Sequence, residues 1–147
     1  MWRWNEHGGH YTFFTVPGAG GDGSFVGGTY SSSINDVSDV VGLFTDTNMN
    51  EHGFINEGEA FTIIDVPGAD ETQIYWINNK GDIGGEYYVN STGIWHGFVL
   101  SHGRYTTVDY PGETFTWIQV ISDSCQLAGC YGDDLGIFHG FVASPTH

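Results

Sequence analysis

Residues 52–69 read HGFINEGEAFTIIDVPGA, and residues 96–112 return to the same pattern as HGFVLSHGRYTTVDYPG. A third His-Gly-Phe begins at His139, so the tripeptide recurs after 44 and then after 43 residues. Self-similarity with a period of about 20–50 residues is typical of architectures in which neighbouring copies bury a shared core. The repeat therefore decides the fold class before any local pattern does.

The flanking segments repeat in the same frame. Pro17, Pro67 and Pro111 each close a β-rich run, and the stretch INNKGDIGG has counterparts one copy earlier and one copy later. In the first copy Trp2-Arg3-Trp4 takes the His-Gly-Phe position, and a Gly/Ser-rich loop insertion makes that copy longer. The alignment predicts one domain, residues 1–147, with copies of approximately 2–51, 52–95 and 96–138 and a closing strand at 139–144.

Each copy contains four short segments of alternating or continuous apolar residues, separated by Gly, Pro, Asn and Asp. Such segments predict short strands joined by tight turns. The 23 glycines and the 16% aromatic content also fit strands better than helices. Four strands in about 40–50 residues is the period of a propeller blade. We therefore predict an all-β fold of propeller-like repeats, each of four short antiparallel strands, with about three blades per chain.

Three blades are too few for a closed propeller, which usually has about four to eight. A homodimer would supply six blades from two chains, and this partner is favoured because an unpaired edge strand invites association. The alternatives are a strained monomer or a β-solenoid that is not a propeller, another oligomer, and a chain that is a piece of a longer array.

Charge narrows the range of partners. Three basic residues face 18 acidic ones, which gives a formal net charge of −15. A nucleic-acid binder needs a basic surface and anionic membranes repel an acidic one, so neither partner is expected. No apolar run approaches the roughly 20 residues of a membrane span, and no signal peptide is visible at the start. Neutral small molecules, glycans and cations remain as partners.

Cys125 and Cys130 are the only cysteines. If the segment between them is extended at about 3.3 Å per residue, they lie about 16 Å apart, which is too far for a disulfide. Two free or buried thiols are therefore favoured over a disulfide that a local bulge would allow.

The His-Gly-Phe tripeptide, the segments TIIDVPG and TTVDYPG, and the INNKGDIGG segment together resemble the HAF-repeat family of bacterial extracellular proteins, named after a His-Ala-Phe tripeptide. The resemblance covers nearly the whole chain and implies an exported, repetitive β protein, outside the cell or on its surface. It implies no particular reaction. The first copy departs most from the pattern, since it has Thr15 where Asp65 and Asp109 stand later.

His52 and His96 are the candidate catalytic residues, because they recur at one position of the repeat and would form a ring with His139 in a propeller. Neutral imidazoles in such a ring can act as bases or bind a transition metal. The structural alternative is favoured. His, Thr and Asp recur at fixed offsets, which indicates a buried hydrogen-bond relay within each blade.

The segment DTNMNE predicts a candidate calcium site. Asp46, Asn48 and Asn50 alternate as at the start of a calcium-binding loop, and Glu51 offers a further oxygen ligand. An EF-hand is excluded, because Glu51 stands where that loop needs glycine and helical flanks are missing. Ca²⁺ is thus the candidate cofactor, although the pattern favours a plain polar turn. Asp133 and Asp134 form a weaker second candidate.

Trp76 and Trp117 are the candidate ligand-binding residues. They lie near the same segment of successive copies, one position out of register. Indole rings in pockets between blades stack on sugars and other ligands. The structural alternative, which is favoured for these side chains, is packing between blades.

The features together favour an extracellular acidic module that binds a glycan or another small or surface ligand through aromatic rings and loop carboxylates. A Ca²⁺-dependent hydrolase of a lactone or ester is the first alternative, with Ca²⁺ polarising the carbonyl and a histidine or carboxylate activating water. A structural repeat protein of a surface array is the second. The sequence contains no nucleophile elbow, zinc-protease motif or P-loop.

Overall fold

The computed structural model describes residues 10–20 and 27–145, which form eleven β-strands and no helix. Trp2-Arg3-Trp4 and part of the loop insertion lie outside these ranges. The described residues include no helix of the length and apolarity that a membrane span requires. The strands are β1 (Thr29–Ile34), β2 (Val40–Thr45), β3 (Glu51–Glu57), β4 (Ala60–Ile64), β5 (Glu71–Ile77), β6 (Ile83–Val89), β7 (Ile94–Ser101), β8 (Arg104–Val108), β9 (Phe115–Ile121), β10 (Leu127–Gly132) and β11 (Phe138–Ala143).

The strands form two sheets, which confirms the all-β prediction. In the first sheet β1, β2, β3 and β4 follow one another as an antiparallel meander. The second sheet has seven strands and curls, with β5–β8 forming one meander and β9–β11 another. A single parallel bridge, between Trp95 of β7 and Phe115 of β9, joins these two meanders.

The four segments predicted in the second copy are all strands, namely β3, β4, β5 and β6. The meanders nevertheless combine consecutive copies. β1 and β2 come from the first copy, whereas β3 and β4, which complete the same sheet, come from the second. Each His-Gly-Phe therefore lies in the third strand of a meander, where both strand edges can be paired.

The main core lies between the first sheet and the β5–β8 meander. Ile74 and Phe98 are completely buried there, and each such side chain contributes about 1.5–3 kcal/mol through loss of apolar surface from water. Gly53 of β3 sits against this core. A β-carbon at Gly53 would lie 2.5 Å from Ile74 Cδ1 and 2.6 Å from the Ile64 carbonyl oxygen. Close packing of one sheet on the next thus requires the glycine of His-Gly-Phe.

Buried threonines hold the segments that carry the prolines. The Thr72 hydroxyl oxygen accepts a hydrogen bond from the Val66 N–H at 3.0 Å, and the Thr116 oxygen accepts one from the Tyr110 N–H at 2.9 Å. Thr29 makes the counterpart bond in the first copy at 3.1 Å. Each bond satisfies a backbone N–H group that has no partner in the strand ladder. The sequence pattern does not single out these threonines.

Cys125 and Cys130 are free thiols, as their spacing predicts. Cys125 is exposed, whereas Cys130 is half-buried. Burial and the nearby charge of Glu86 raise the pKa of the Cys130 thiol, so this side chain is a neutral, weakly reactive group.

Candidate functional site

Three equivalent turns meet at one end of the sheets. They connect β1 to β2, β5 to β6, and β9 to β10, and their second residues are Asp36, Asn79 and Asp123. The Asp36 N–H donates to Asn79 Oδ1 at 2.9 Å, and the Asn79 N–H donates to Asp123 Oδ1 at 3.0 Å. The Asn79 amide also donates to Asp36 Oδ2 at 2.9 Å and to Asp123 Oδ2 at 3.4 Å. We call these three residues the turn ladder.

The first residue of each turn shapes it locally. Asn78 Oδ1 accepts the backbone N–H groups of Lys80 at 2.9 Å and of Asp82 at 2.8 Å. Asn35 does the same in the first turn, and Ser122 accepts one such bond in the third. These Asx- and Ser-type turns hold the backbone without strand pairing. The ladder residues are thereby presented at fixed positions in solvent.

A depression of about 330 Å³ opens beside the turn ladder. Its apolar wall includes Trp76, Ile34 and Val120, and its polar wall includes the three ladder residues. The Trp76 side chain is 37% exposed, so part of the indole remains open to a ligand. A flat aromatic surface next to carboxylate and amide groups can stack on one face of a sugar ring and hydrogen-bond to its hydroxyls.

Trp117 does not belong to this depression. Its ring packs against Tyr75 with centroids 5.0 Å apart, and its Nε1 is buried without a hydrogen-bond partner among the described residues. The strands explain the separation, because Trp117 of β9 is equivalent in position to Gln73 of β5, while Trp76 is equivalent to Val120. The two tryptophans are therefore three positions out of register, and the predicted offset of one position is wrong. The structure thus places one of the two predicted tryptophans at the candidate site and the other at the junction of β5 and β9.

The predicted histidines each pair with an aspartate. His52 Nδ1 lies 2.9 Å from Asp65 Oδ2, and His96 Nδ1 lies 2.8 Å from Asp109 Oδ2. The imidazoles are 26% and 20% exposed, so these pairs are half-buried at the surface rather than enclosed. The threonine predicted to complete the relay in each copy forms no hydrogen bond with either partner among the described residues.

Each histidine of the tripeptide also stacks on an aromatic ring directly opposite on the neighbouring strand. The ring planes are nearly parallel, and their centroids lie 5.0–5.2 Å apart. The contact with aspartate and the stacking together orient each imidazole, which is a structural role. The stacked pairs are Phe44 with His52, Tyr87 with His96, and Tyr131 with His139.

The space beside His52 is small. The cavity that His52 shares with Asp65 and Glu71 has a volume of about 50 Å³. A water molecule occupies about 30 Å³ in the liquid, so this cavity is comparable in size to one or two waters. A ligand pocket usually measures about 300–1,000 Å³. The depression at the turn ladder meets that size and the His52 cavity does not.

Asp46 of the predicted calcium loop caps its own turn. Its Oδ1 accepts the N–H groups of Asn48 at 2.8 Å and of Asn50 at 2.9 Å, and its Oδ2 accepts the Asn50 amide at 3.1 Å. The hydrogen bond from the Asn50 backbone, aided by the others, lowers the pKa of Asp46 to about 2. Glu51 is hydrogen-bonded to Gln73 instead. The geometry is that of the polar turn, and a calcium ion here stays a prediction.

Asp133, at the start of the second candidate calcium turn, is similarly engaged. It accepts the N–H groups of Leu135 and Ile137, each at 2.9 Å, and lies 2.9 Å from His139 Nε2. The contact with His139 lowers the pKa of this carboxyl group. Across the described ranges, no three His, Cys, Asp or Glu side chains are grouped as metal ligands.

A buried carboxyl group at Glu86 was not predicted from the sequence. This side chain is 5% exposed, and Tyr75 donates a hydrogen bond to its Oε1 at 3.1 Å. Its Oε2 has no partner among the described residues. Burial raises the pKa of Glu86 to about 7, although the bond from Tyr75 opposes that shift. Glu86 is therefore a group that changes charge near neutral pH.

Comparison with protein families, with curated proteins and with solved structures finds nothing that matches this chain. Function is therefore inferred from the arrangement of its own side chains.

Proposed function

We propose that this protein is an acidic, propeller-type repeat module that binds a glycan in the depression beside the turn ladder. The observation that carries the proposal is the half-open indole of Trp76 next to the polar groups of Asp36, Asn79 and Asp123. The Trp76 surface stacks on the C–H face of a sugar. The ladder groups accept and donate hydrogen bonds to its hydroxyls.

Charge selects the class of glycan. The chain carries a formal net charge of −15, and two of the three ladder residues are carboxylates. Anionic sugars such as uronates are repelled by this field, whereas neutral and cationic amino sugars are tolerated or attracted. The proposed ligand is therefore a neutral or amino-sugar oligosaccharide.

The recurrence of the turns at steps of 43 and 44 residues supports the blade arrangement within the proposal. An extracellular or surface location follows from the resemblance to HAF-repeat proteins and belongs to the proposal as well. Equivalent turns in further chains would multiply the binding sites, and simultaneous engagement would raise the overall affinity for a polymeric glycan.

Calorimetric titration with neutral, amino-sugar and uronate oligosaccharides tests the binding function. We expect binding of a neutral or amino sugar and a loss of roughly two- to tenfold in Trp76→Ala, because an aromatic contact is worth about 0.5–1.5 kcal/mol. Trp95→Ala is the matched control, since Trp95 packs against Tyr88 away from the depression. Absence of binding to every sugar in the panel, or an equal loss of affinity in both variants, would overturn the proposal and favour a structural repeat protein of a surface array.

The Ca²⁺-dependent hydrolase remains the second candidate, supported by the oriented His52–Asp65 and His96–Asp109 pairs and by the Asp46 turn. A carboxylate that orients an imidazole through Nδ1 leaves Nε2 to act as a base. At His52, however, Nε2 itself lies 3.6 Å from Asp46 Oδ2. The cavity of about 50 Å³ at His52 is the reason for ranking binding first. Ester or lactone turnover that is abolished by chelation, restored by Ca²⁺ and lost in His52→Ala and His96→Ala would reverse the ranking.

A further inference from the structure

The outer edge of β11 and one chain segment, residues 10–16, have no strand partner among the described residues. The first sheet and the β5–β8 meander have four strands each, but the β9–β11 meander has three. The outer edge of β11 pairs with no strand. Residues 10–16 likewise pair with no strand, although their sequence, HYTFFTV, matches the segments that form β4 and β8.

The glycines of the three tripeptides show that β11 is an uncovered version of β3 and β7. A β-carbon at Gly97 would lie 2.6 Å from the Val108 carbonyl oxygen and 2.9 Å from Ile118 Cγ1, much as Gly53 is enclosed by its own fourth strand and the next sheet. At Gly140 the nearest such atom, the Gly129 carbonyl oxygen, is 3.9 Å away. β11 therefore contains the glycine that close packing requires in β3 and β7, but no described fourth strand or neighbouring sheet packs against it.

The phenylalanine of the tripeptide gives the same result. Phe54 and Phe98 are completely buried, whereas Phe141 is half-buried and the adjacent Val142 is 75% exposed. In the completed meanders an aromatic side chain of the fourth strand lies against this phenylalanine. Tyr105 of β8, for example, has its ring centroid 5.9 Å from that of Phe98.

A cavity lies where the side chains of a fourth strand would pack against β11. It measures about 420 Å³ and lies between β8 and the β10–β11 hairpin, with Val108, Leu127 and Ala143 in its wall. In the preceding junction the counterpart space is core, to which Leu100 and Tyr105 contribute. Ala143 replaces the leucine at this position, and the part of the chain that the structure describes has no fourth strand beside β11 to supply the aromatic ring.

Residues 10–16 carry the side chains that β11 lacks. Tyr11 aligns with Tyr105, and it is 73% exposed, while Phe13 is 90% exposed. The other face of the segment is already anchored, because Phe14 and Val16 pack against the first sheet. One face of residues 10–16 is therefore packed against the first sheet, while the aromatic side chains of the other face are open to solvent.

We propose that residues 10–16 of one copy of this chain pair with β11 of a second copy as its fourth strand. The register observed between β7 and β8, transferred to this junction, places Phe14 opposite Gly140 and Thr12 opposite Val142 in an antiparallel pair. The occupant is a second copy, because its residues 10–16 reproduce the sequence, exposure and length that the uncovered edge needs.

The histidine of β11 agrees with this assignment. His52 and His96 each take a carboxylate from the residue two places before a proline, Asp65 or Asp109. In residues 10–16 that position is Thr15. Nε2 of His52 also lies 3.6 Å from Asp46 Oδ2, and His139 has the equivalent contact with Asp133 at 2.9 Å. A fourth strand without an aspartate would therefore still leave His139 with a carboxylate partner.

Two such junctions close a ring. Head-to-tail contacts produce either a ring or an open filament, and two chains of three meanders each would give six, within the usual range of about four to eight blades. The turn ladder continues across the junction, where the Asp123 N–H meets Asp36 of the second copy. This ring depends on the blade arrangement proposed above but not on glycan binding. An experiment can therefore contradict the ring without contradicting glycan binding, and the reverse.

Disulfide trapping tests the register. Thr12→Cys combined with Val142→Cys, in a Cys125→Ser and Cys130→Ala background, places two thiols opposite each other, with β-carbons about 4.5–5.5 Å apart. We expect a linked dimer on mild oxidation and a peptide map showing a bond between positions 12 and 142. Phe13→Cys with Val142→Cys is the control, since a shift of one residue turns the thiol to the opposite face.

The mass of the unmodified protein in solution gives the second readout. Light scattering should report twice the chain mass, and Tyr11→Ser should weaken dimerisation at least about tenfold because it removes apolar contact area. Leu135→Ser, which alters an equally exposed side chain outside the junction, should leave the dimer intact. A monomer at all concentrations, a 12–142 bond within one chain, or equal trapping of the control pair would overturn the proposal.

Discussion

Single hydroxyl and carboxyl groups account for much of the order at the residue scale. The threonines at 29, 72 and 116 each hold a backbone N–H, and the tripeptide histidines each hold a carboxylate. The repeat made the histidines conspicuous because they stand in a tripeptide that recurs three times. The threonines escaped notice because threonine is common in strands and its partner lies in another segment.

Replacing Thr72 by valine should lower the free energy of unfolding by about 1–3 kcal/mol, the cost of a buried donor without an acceptor. Thr72 is 1% exposed, and valine keeps its shape. Chemical denaturation of Thr72→Val and of Thr62→Val provides the comparison, since Thr62 is exposed. Equal effects of the two substitutions would show that the hydrogen bond to Val66 contributes nothing.

Glu86 should make stability fall as pH rises. Its folded pKa, about 7, exceeds the ordinary value of 4.5, so the folded protein binds the extra proton between these values. Its contribution is therefore complete below about pH 4.5 and is lost as pH rises through 7. At pH 8, Glu86→Gln should raise the free energy of unfolding by up to about 3 kcal/mol relative to the unmodified protein. At pH 4.5 it should change that free energy little. An equal gain at both pH values in denaturation experiments would exclude this cause.

Strands and turns follow closely from local sequence at the element scale. The segments predicted as strands in the second copy are strands, because alternation and β-branched residues act within a few residues of chain. Turn geometry is also local. Ser38, Gly81 and Cys125 stand at one position of the three ladder turns, and all have positive φ, at 72°, 81° and 61°.

Only the second of these turns has the residue that the backbone prefers. A side chain in the left-handed region costs roughly 1–2 kcal/mol, so Ser38→Gly should raise the thermal midpoint and Gly81→Ser should lower it. Ser32→Gly, in the exposed part of β1, is the matched control and should be mildly destabilising. Destabilisation by both serine-to-glycine changes would show that the greater freedom of the unfolded chain outweighs any relief of backbone strain at Ser38.

Charge is the dominant property of the whole molecule. The formal net charge is −15, and the ion pairs among the described residues all join a histidine to an aspartate. Repulsion between the uncompensated carboxylates opposes the compact state, and salt screens it over about 10 Å at 0.1 M.

Raising NaCl from about 10 to 150 mM should therefore increase the thermal midpoint by a few degrees. Differential scanning calorimetry measures the shift. CaCl₂ at matched ionic strength separates general screening from a specific cation site, for which Asp46→Asn is the variant. A midpoint that falls with added salt would mean that attractive ion pairs outweigh the repulsion.

The sequence by itself determined the all-β class and the positions of the strands in the second copy, and it favoured free thiols over a disulfide, because strand periodicity, turn chemistry and chain reach act over a few residues. Only the tertiary structure decided which side chains meet. It separated Trp76 from Trp117, joined Asp36, Asn79 and Asp123 from segments 43 and 44 residues apart, and buried Glu86. Contacts of that range depend on how one sheet packs against the next, and no local pattern records that packing.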